Sequence, residues 1–243
     1  MWPEWMVKSF PERPYDAGYR TFGDLREPTE EFWTKNDVTH KAKVVCKLCN
    51  NGWMSLLEQE TIPILKPMIT NPRGARRLNM HQQGILANWT TLRLMIFDRV
   101  RDSDSKYFSN DELIAFATPS KRKPITHTHV WLATLPDMGG MGVHAGIHCR
   151  GTATDPWRYS VFNCVFGQIA LQVFHWSGFT ADWIGNADRS AAINLRKLND
   201  PIWQKATVRV WPRRSNLLSW PPQQSLALAG ISPFYNRFYI PTA

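Results

Sequence analysis

Two cysteines separated by two residues are the part of this sequence best suited to chemistry. Cys46 and Cys49 stand in the stretch VVCKLCNNGWMSLLE, which runs from Val44 to Glu58. This spacing lets a tight turn direct two thiolates at one metal ion, and zinc is the usual occupant. Only 4 cysteines in 243 residues cannot make a disulfide scaffold. The pair therefore predicts zinc ligands in a reducing compartment, with ordinary buried thiols as the alternative.

Other cysteines and histidines are weaker candidates. Cys149 and Cys164 lie in strand-like segments, where a free cysteine usually serves as a small apolar residue. His127 and His129 are two residues apart, but no cysteine or carboxylate accompanies them at ligand spacing, which favours polar surface histidines over a second metal site. His40 precedes Cys46 by six residues and is a candidate third ligand or general base.

The stretch from Val44 to Glu58 resembles the second knuckle of the four-cysteine zinc branch of the HNH endonucleases. In that family a Cys-x-x-Cys-Asn turn leads into the helix of a ββα-metal fold. Trp2-Pro3-Glu4-Trp5 is similar to the end of the family's Glu-His-x-Trp-Pro-x-Trp segment. The segment from Pro63 to Met68 and the two Trp-Pro loops, at Trp211 and Trp220, are similar to its later parts.

The resemblance implies metal-dependent hydrolysis of DNA phosphodiesters. Cys46 and Cys49 would contribute to a structural zinc site, which has no open position for a substrate. Asn50, directly after the second cysteine, would hold the active site in place. A histidine would act as general base, and Mg²⁺ or Mn²⁺ would steady the charge on the phosphate. By this resemblance Asn50 and, as a substitute base, His40 are the candidate catalytic residues.

The resemblance also predicts what is missing. The family's first Cys-x-x-Cys and its Glu-His are expected immediately upstream of Trp2, where this sequence begins. Two alternatives stay open. Either the reading frame starts too late and the complete protein is an active nuclease, or the chain is a remnant that keeps the fold without the chemistry. A competing hypothesis, from a different class, is a non-catalytic nucleic-acid or protein interaction module whose aromatic-rich C-terminal domain does the work.

The net charge favours a polyanionic partner. The sequence has 29 Lys and Arg against 20 Asp and Glu, which gives a formal charge of +9 and a pI near 9.6. DNA is therefore the expected partner, with scattered solvated charge as the alternative. The candidate nucleic-acid-binding residues are Arg73, Arg76, Arg77, Lys121, Arg122 and Lys123. Arg213 and Arg214 form a third basic cluster, which would add phosphate contacts if the clusters share a face with Trp53 or Trp220.

The sequence contains no sign of a membrane protein. No basic segment followed by an apolar run marks a secretory signal at the N-terminus. The most apolar stretch, Val161 to Phe174, is interrupted by Asn163, Gln168 and Gln172. We therefore expect a cytoplasmic protein without a membrane span.

The elements that must position these residues predict an α+β fold. We expect a ββα-like zinc-knuckle module at residues 1–72 and a helix plus antiparallel β-sheet domain at residues 73–243. The first part should contain an irregular arm or short strands at 1–30, a strand at 39–45, and a helix from Trp53 that Pro63 and Pro67 break or kink.

The second part carries the clearer patterns. Apolar residues from Ile85 to Val100, at spacings of three and four, predict one face of an amphipathic helix over 80–100. Ser109 and Glu112 have capping-box spacing and predict a helix that ends by Pro119. Short runs rich in Val, Ile, Thr and aromatic residues predict strands at 128–135, 146–152, 157–166, 169–176 and 207–211.

Overall fold

The computed structural model describes residues 4–9, 15–21, 29–35, 44–100, 106–136, 141–150, 158–178, 200–235 and 237–238. Within these residues, helices pack against a mostly antiparallel sheet, so the α+β prediction is confirmed. No helix among them is long and apolar enough to cross a bilayer.

The N-terminal strands join the main sheet. After the short helix α1 (Glu4–Val7), strands β1 (Tyr15–Thr21) and β2 (Thr29–Lys35) pair as an antiparallel hairpin. Strand β1 also pairs in parallel with β5 (Met141–Arg150). Short strands are thus present where residues 1–30 predicted them as one option, and most of the predicted 39–45 strand lies outside the described residues.

The turn that contains Cys46 and Cys49 leads into a long helix. A helical turn, α2 (Lys47–Cys49), is followed by an irregular helical segment over Asn50–Met54 and then by α3 (Ser55–Thr70). The predicted break at the prolines is wrong, because α3 continues through both. Pro63 removes the donor for the Gln59 carbonyl, and both residues are exposed, so water can satisfy that oxygen.

Two further helices agree with their sequence signals. Helix α4 runs from Met80 to Val100, and α5 runs from Asn110 to Ala117 with a complete Ser109–Glu112 capping box. The expectation that α4 shows one apolar face is wrong. Its buried residues surround the axis and include Thr90, Arg93 and Asp98, because α4 lies between α3 and the sheet.

Seven strands form the main sheet, in the order β2-β1-β5-β6-β7-β4-β8. The members not yet given are β4 (Thr128–Thr134), β6 (Arg158–Phe166), β7 (Ile169–Ser177) and β8 (Thr207–Trp211). Their pairings with one another are antiparallel, as predicted. A separate two-stranded sheet joins β3 (Arg76–Asn79) to β9 (Leu217–Trp220).

Both faces of the central strands are covered. On one face, residues such as Leu132, Phe162 and Leu171 pack in a core with α3 and α4. On the other face, Ala133 and Ala170 pack with Phe234 of the C-terminal helix Leu228–Tyr235. Every residue of β4 is therefore buried, and strict alternation of polar and apolar residues is absent from it.

The main core takes residues from both predicted parts of the chain. Leu65 and Met68 precede the predicted boundary at residue 72, and Trp89 and Val210 follow it, yet all four belong to one buried cluster. Helix α3, which lies in the first predicted part of the chain, is thus packed directly against residues of the second part. The division at residues 72 and 73 itself stays a prediction.

Candidate functional site

The turn from Cys46 to Cys49, hereafter the knuckle, has a backbone suited to holding a metal ion. Cys46 is extended, with φ −69° and ψ 154°, and caps α2. The Cys49 backbone N–H donates to the Cys46 Sγ at 3.2 Å, and the Asn50 N–H donates to the Cys46 carbonyl oxygen at 2.9 Å. An N–H aimed at sulfur favours the thiolate form that zinc binds.

The two thiols differ in exposure and acidity. Cys46 is exposed, Cys49 is partly buried, and both are free of disulfides. Hydrogen bonds from Cys49, through its side chain and then through its backbone N–H, lower the pKa of Cys46. The same side-chain hydrogen bond to Cys46 raises the pKa of Cys49. The pair therefore releases its first proton readily and holds the second, which a metal ion would have to displace.

Asn50 lies at an exposed corner directly after the knuckle. Its Nδ2 donates to the Oδ1 of Asn51 at 3.2 Å. The chain then bends at Gly52, where φ is −94° and ψ is −114°, before α3 begins. His40, the candidate base, lies outside the described residues.

The chemistry of the available ligands fits zinc in part. Among the described residues, no group of three or more His, Cys, Asp or Glu side chains is placed to hold a metal ion. Two thiolates fit half of a tetrahedral zinc site, whose other ligands must come from elsewhere. The Mg²⁺ or Mn²⁺ site that the resemblance implies stays a prediction.

Glu58 connects helix α3 to the core. Its Oε1 accepts a hydrogen bond from Trp5 Nε1 at 2.7 Å, and its Oε2 accepts one from Trp89 Nε1 at 3.0 Å. The same Oε2 is ion-paired with Arg93 Nη2, and the two side chains are only 16% and 10% exposed. One carboxylate thus joins α1, α3 and α4.

Sequence reasoning missed this Glu58 cluster. Trp5 lies 53 residues and Trp89 lies 31 residues from Glu58, so no local spacing reveals the contacts. The one local signal is Trp89 followed four residues later by Arg93, whose guanidinium lies 5.0 Å from the indole centroid.

An apolar pocket of about 250 Å³ opens beside the thiols. Cys46, Cys49 and Trp53 line it on the knuckle side, and residues of α4 and α5 line the opposite side. Several apolar side chains on and around the knuckle are exposed, namely Val44, Leu48, Leu56 and Ile114. The thiols therefore border an exposed apolar surface.

The six predicted nucleic-acid-binding residues fall into two groups. Four are exposed, namely Arg73, Arg77, Lys121 and Lys123. Arg76 and Arg122 are partly buried, and their Nη2 groups donate to the carbonyl oxygens of Pro67 and Ala117, each at 3.0 Å. Arg122 also lies over the Trp53 ring, 4.4 Å from its centroid. Arg122 thus binds a carbonyl oxygen at the C-terminal end of α5. That any of the six residues contacts DNA stays a prediction.

The remaining candidates separate into core and surface. Cys164 is 1% exposed, so its predicted core role is confirmed, and the Cys149 side chain lies outside the described part of the chain. His127 is exposed, as predicted. The surface prediction is wrong for His129, which is buried and stacked against Trp131 and Trp176. Burial lowers its pKa to about 3.

Comparison of the chain with protein-family models, curated proteins and solved structures gives no significant match.

Proposed function

We propose that this chain is an HNH endonuclease-like, DNA-binding protein in which Cys46 and Cys49 form half of a structural zinc site. The observation that carries this proposal is the knuckle itself, in which the Cys49 N–H donates to the Cys46 Sγ at 3.2 Å. Two free, accessible thiols in one turn suit zinc in a reducing compartment, and the cytoplasm is the compartment we propose.

The proposed reaction is metal-dependent hydrolysis of a DNA phosphodiester, with Mg²⁺ or Mn²⁺ as the catalytic ion. Asn50 would position the site, and His40 would take the proton from the attacking water. The exposed position of Asn50 beside the knuckle supports this role, because a DNA strand can reach it. Closure of the zinc site needs further ligands, and His40 is the histidine nearest to the knuckle in sequence.

The second candidate function is a non-catalytic nucleic-acid-binding module. Two observations favour it. The described residues contain no group of three metal-ligating side chains, and four of the predicted DNA-contacting residues are exposed. In this case the knuckle would be structural and DNA would be bound without being cut.

Metal content tests the zinc site. We expect the purified chain to retain zinc, or to take up Co²⁺ with a thiolate charge-transfer band, and Cys46→Ser and Cys49→Ser to abolish both. The matched control is Cys164→Ala, because that cysteine is buried in the core and should leave metal binding intact. Metal retention in both knuckle variants would contradict the proposal.

A supercoiled-plasmid nicking assay at low salt with Mg²⁺ or Mn²⁺ separates the two functions. If the chain is a nuclease, Asn50→Ala and His40→Ala should each lower the rate, by about two to four orders of magnitude for loss of a general base. The controls are Asn216→Ala and His81→Ala, which change exposed residues of the same types. DNA binding without nicking would favour the non-catalytic module.

A further inference from the structure

A second cavity, of about 230 Å³, lies between β8, the turn of helix Pro201–Gln204 and the C-terminal segment. Three arginines border it, Arg209, Arg214 and Arg237, together with one carboxylate, Asp200. Among the described residues that line the cavity, three positive charges and one negative charge give a net +2. Pockets for drug-sized ligands measure about 300 to 1,000 Å³, so this one suits a small group.

Arg237 is buried beside the cavity with unpaired N–H donors. It is 6% exposed, and its Nε and Nη2 have no hydrogen-bond partner within the described part of the chain. Aromatic rings surround its guanidinium, with Trp131 at 4.3 Å and Phe234 and Phe238 each at 4.8 Å from the ring centroids. Cation–π contacts offset part of the desolvation, but they leave the Nε and Nη2 donors unpaired, which is unfavourable for a buried polar group.

Neighbouring charges act on Arg237 in opposite directions, because the charge of Arg209 disfavours its charged form and the Asp200 carboxylate favours it. Arg209 lies over the other part of the same aromatic group, 5.5 Å from the Trp131 centroid. Burial, and then the charge of Arg209, lower the pKa of Arg237 to about 9, so the side chain is still charged at neutral pH. Burial, and then the charge of Arg214, lower the pKa of Arg209 to about 10. Each guanidinium thus repels the next, and a bound anion would relieve this repulsion.

We propose that this cavity binds a phosphoryl group, with the guanidinium groups of Arg209, Arg214 and Arg237 as its donors. A phosphate suits three guanidinium groups better than a carboxylate does, because it offers more oxygens and a second negative charge. The group can belong to a nucleic-acid backbone or to a small phosphorylated molecule. The site uses none of the knuckle residues, so it does not depend on the proposed zinc or nuclease function.

Arg214→Gln with Arg213→Gln as its matched control tests the site. Both arginines are exposed and adjacent, so both variants lose the same surface charge, but only Arg214 borders the cavity. Calorimetric titration of the full chain with inorganic phosphate, at fixed ionic strength, should show saturable binding. Arg214→Gln should weaken it about tenfold or more, the value of one charge-assisted hydrogen bond, and Arg213→Gln should change it less than about twofold.

Titrations with two phosphate-containing ligands distinguish the source of the phosphoryl group. A titration with acetate tests whether the site prefers phosphate to a carboxylate. Stronger binding of a short oligothymidylate than of thymidine monophosphate would assign the site to a nucleic-acid backbone, and the reverse order would assign it to a small ligand. Either order supports the proposal. The proposal is overturned if the wild-type chain binds no phosphate up to about 20 mM, if acetate binds equally well, or if both glutamine variants lose affinity equally.

Discussion

The knuckle and the arginine cavity are built in opposite ways. The knuckle comes from four consecutive residues, lies at an exposed corner, and keeps its geometry through hydrogen bonds that begin and end inside the turn. The cavity joins Trp131 of β4, Arg209 of β8 and Arg237 near the C-terminus, and its innermost arginine, Arg237, is buried. A local turn defines its own ligand geometry, whereas a composite cavity exists only after the sheet has formed.

The two regions also differ in how charge is compensated. Beside the knuckle, Glu58 accepts hydrogen bonds from two indoles and pairs with Arg93, so a buried cation and a buried carboxylate neutralise each other. In the cavity, Arg237 packs against aromatic rings, and its Nε and Nη2 have no hydrogen-bond partner among the described residues. The first arrangement pairs opposite charges directly and serves stability. The second places a buried guanidinium beside a cavity and is therefore the better candidate for binding.

The largest expected effect comes from breaking the Glu58–Arg93 pair. Glu58→Ala should lower the free energy of unfolding by about 3–5 kcal/mol, because Arg93 loses the Glu58 carboxylate while it stays buried. Urea denaturation measures this loss. The matched control is Glu60→Ala on the exposed side of α3, which should cost no more than about 1 kcal/mol. Nearly equal losses of unfolding free energy in the two variants would mean that the contacts of Glu58 do not anchor α3 to the core.

The next effect tests the buried histidines on the two faces of the sheet. Burial lowers the pKa of both His129 and His175 to about 3. Because each folded pKa lies below the unfolded value, the unfolded chain binds more protons between about pH 6.5 and pH 3. The stabilising contribution is therefore complete above pH 6.5 and is lost as the pH falls. Each histidine should contribute a slope of about 1.4 kcal/mol per pH unit.

His129→Phe tests this assignment directly. Phenylalanine can keep the stack against Trp131 and Trp176 but cannot take up a proton. The slope of unfolding free energy against pH, measured by urea denaturation from pH 6 to pH 4, should fall by about 1.4 kcal/mol per pH unit relative to wild type. At pH 8 the two proteins should differ much less than at pH 4. An unchanged slope would show that the buried ring of His129 does not govern the acid response.

Sequence patterns predicted the parts of the fold whose causes are local. The capping box of α5 follows from the spacing of Ser109 and Glu112, and the knuckle follows from the spacing of its cysteines. The continuity of α3 through Pro63 was not predictable, because packing of Leu57, Ile64 and Leu65 in the core outweighs the missing hydrogen bond. Local rules set the expectation, and tertiary packing overruled it.

The composite features could not be predicted for a related reason. The parallel pairing of β1 with β5, the partners of Glu58 and the walls of the arginine cavity all join residues that are distant in sequence. The surface expectation for His129 failed because a second layer covers the outer face of β4. No pattern in the sequence around His129 indicates that such a layer is present.

The smallest effects separate two neighbouring cations that sequence alone treats as equals. Arg122→Gln should destabilise the chain by about 1–2 kcal/mol, since it loses the Ala117 carbonyl and the Trp53 ring. Its effect on DNA affinity should be minor. Lys121→Gln should leave stability within about 0.5 kcal/mol, because that side chain is exposed.

The salt dependence of DNA affinity also distinguishes Arg122 from Lys121. If Lys121 contacts a phosphate, Lys121→Gln should lower the slope of log affinity against log salt concentration by about 0.9, because one fewer counterion is released from duplex DNA. Fluorescence anisotropy with a labelled duplex over a series of salt concentrations gives this slope. A reversed result, in which Arg122→Gln lowers the slope and Lys121→Gln does not, would show that Arg122 leaves α5 to contact DNA. The partly buried arginine would then be the ligand-binding group, and exposure would be a poor guide to nucleic-acid contacts beside the knuckle.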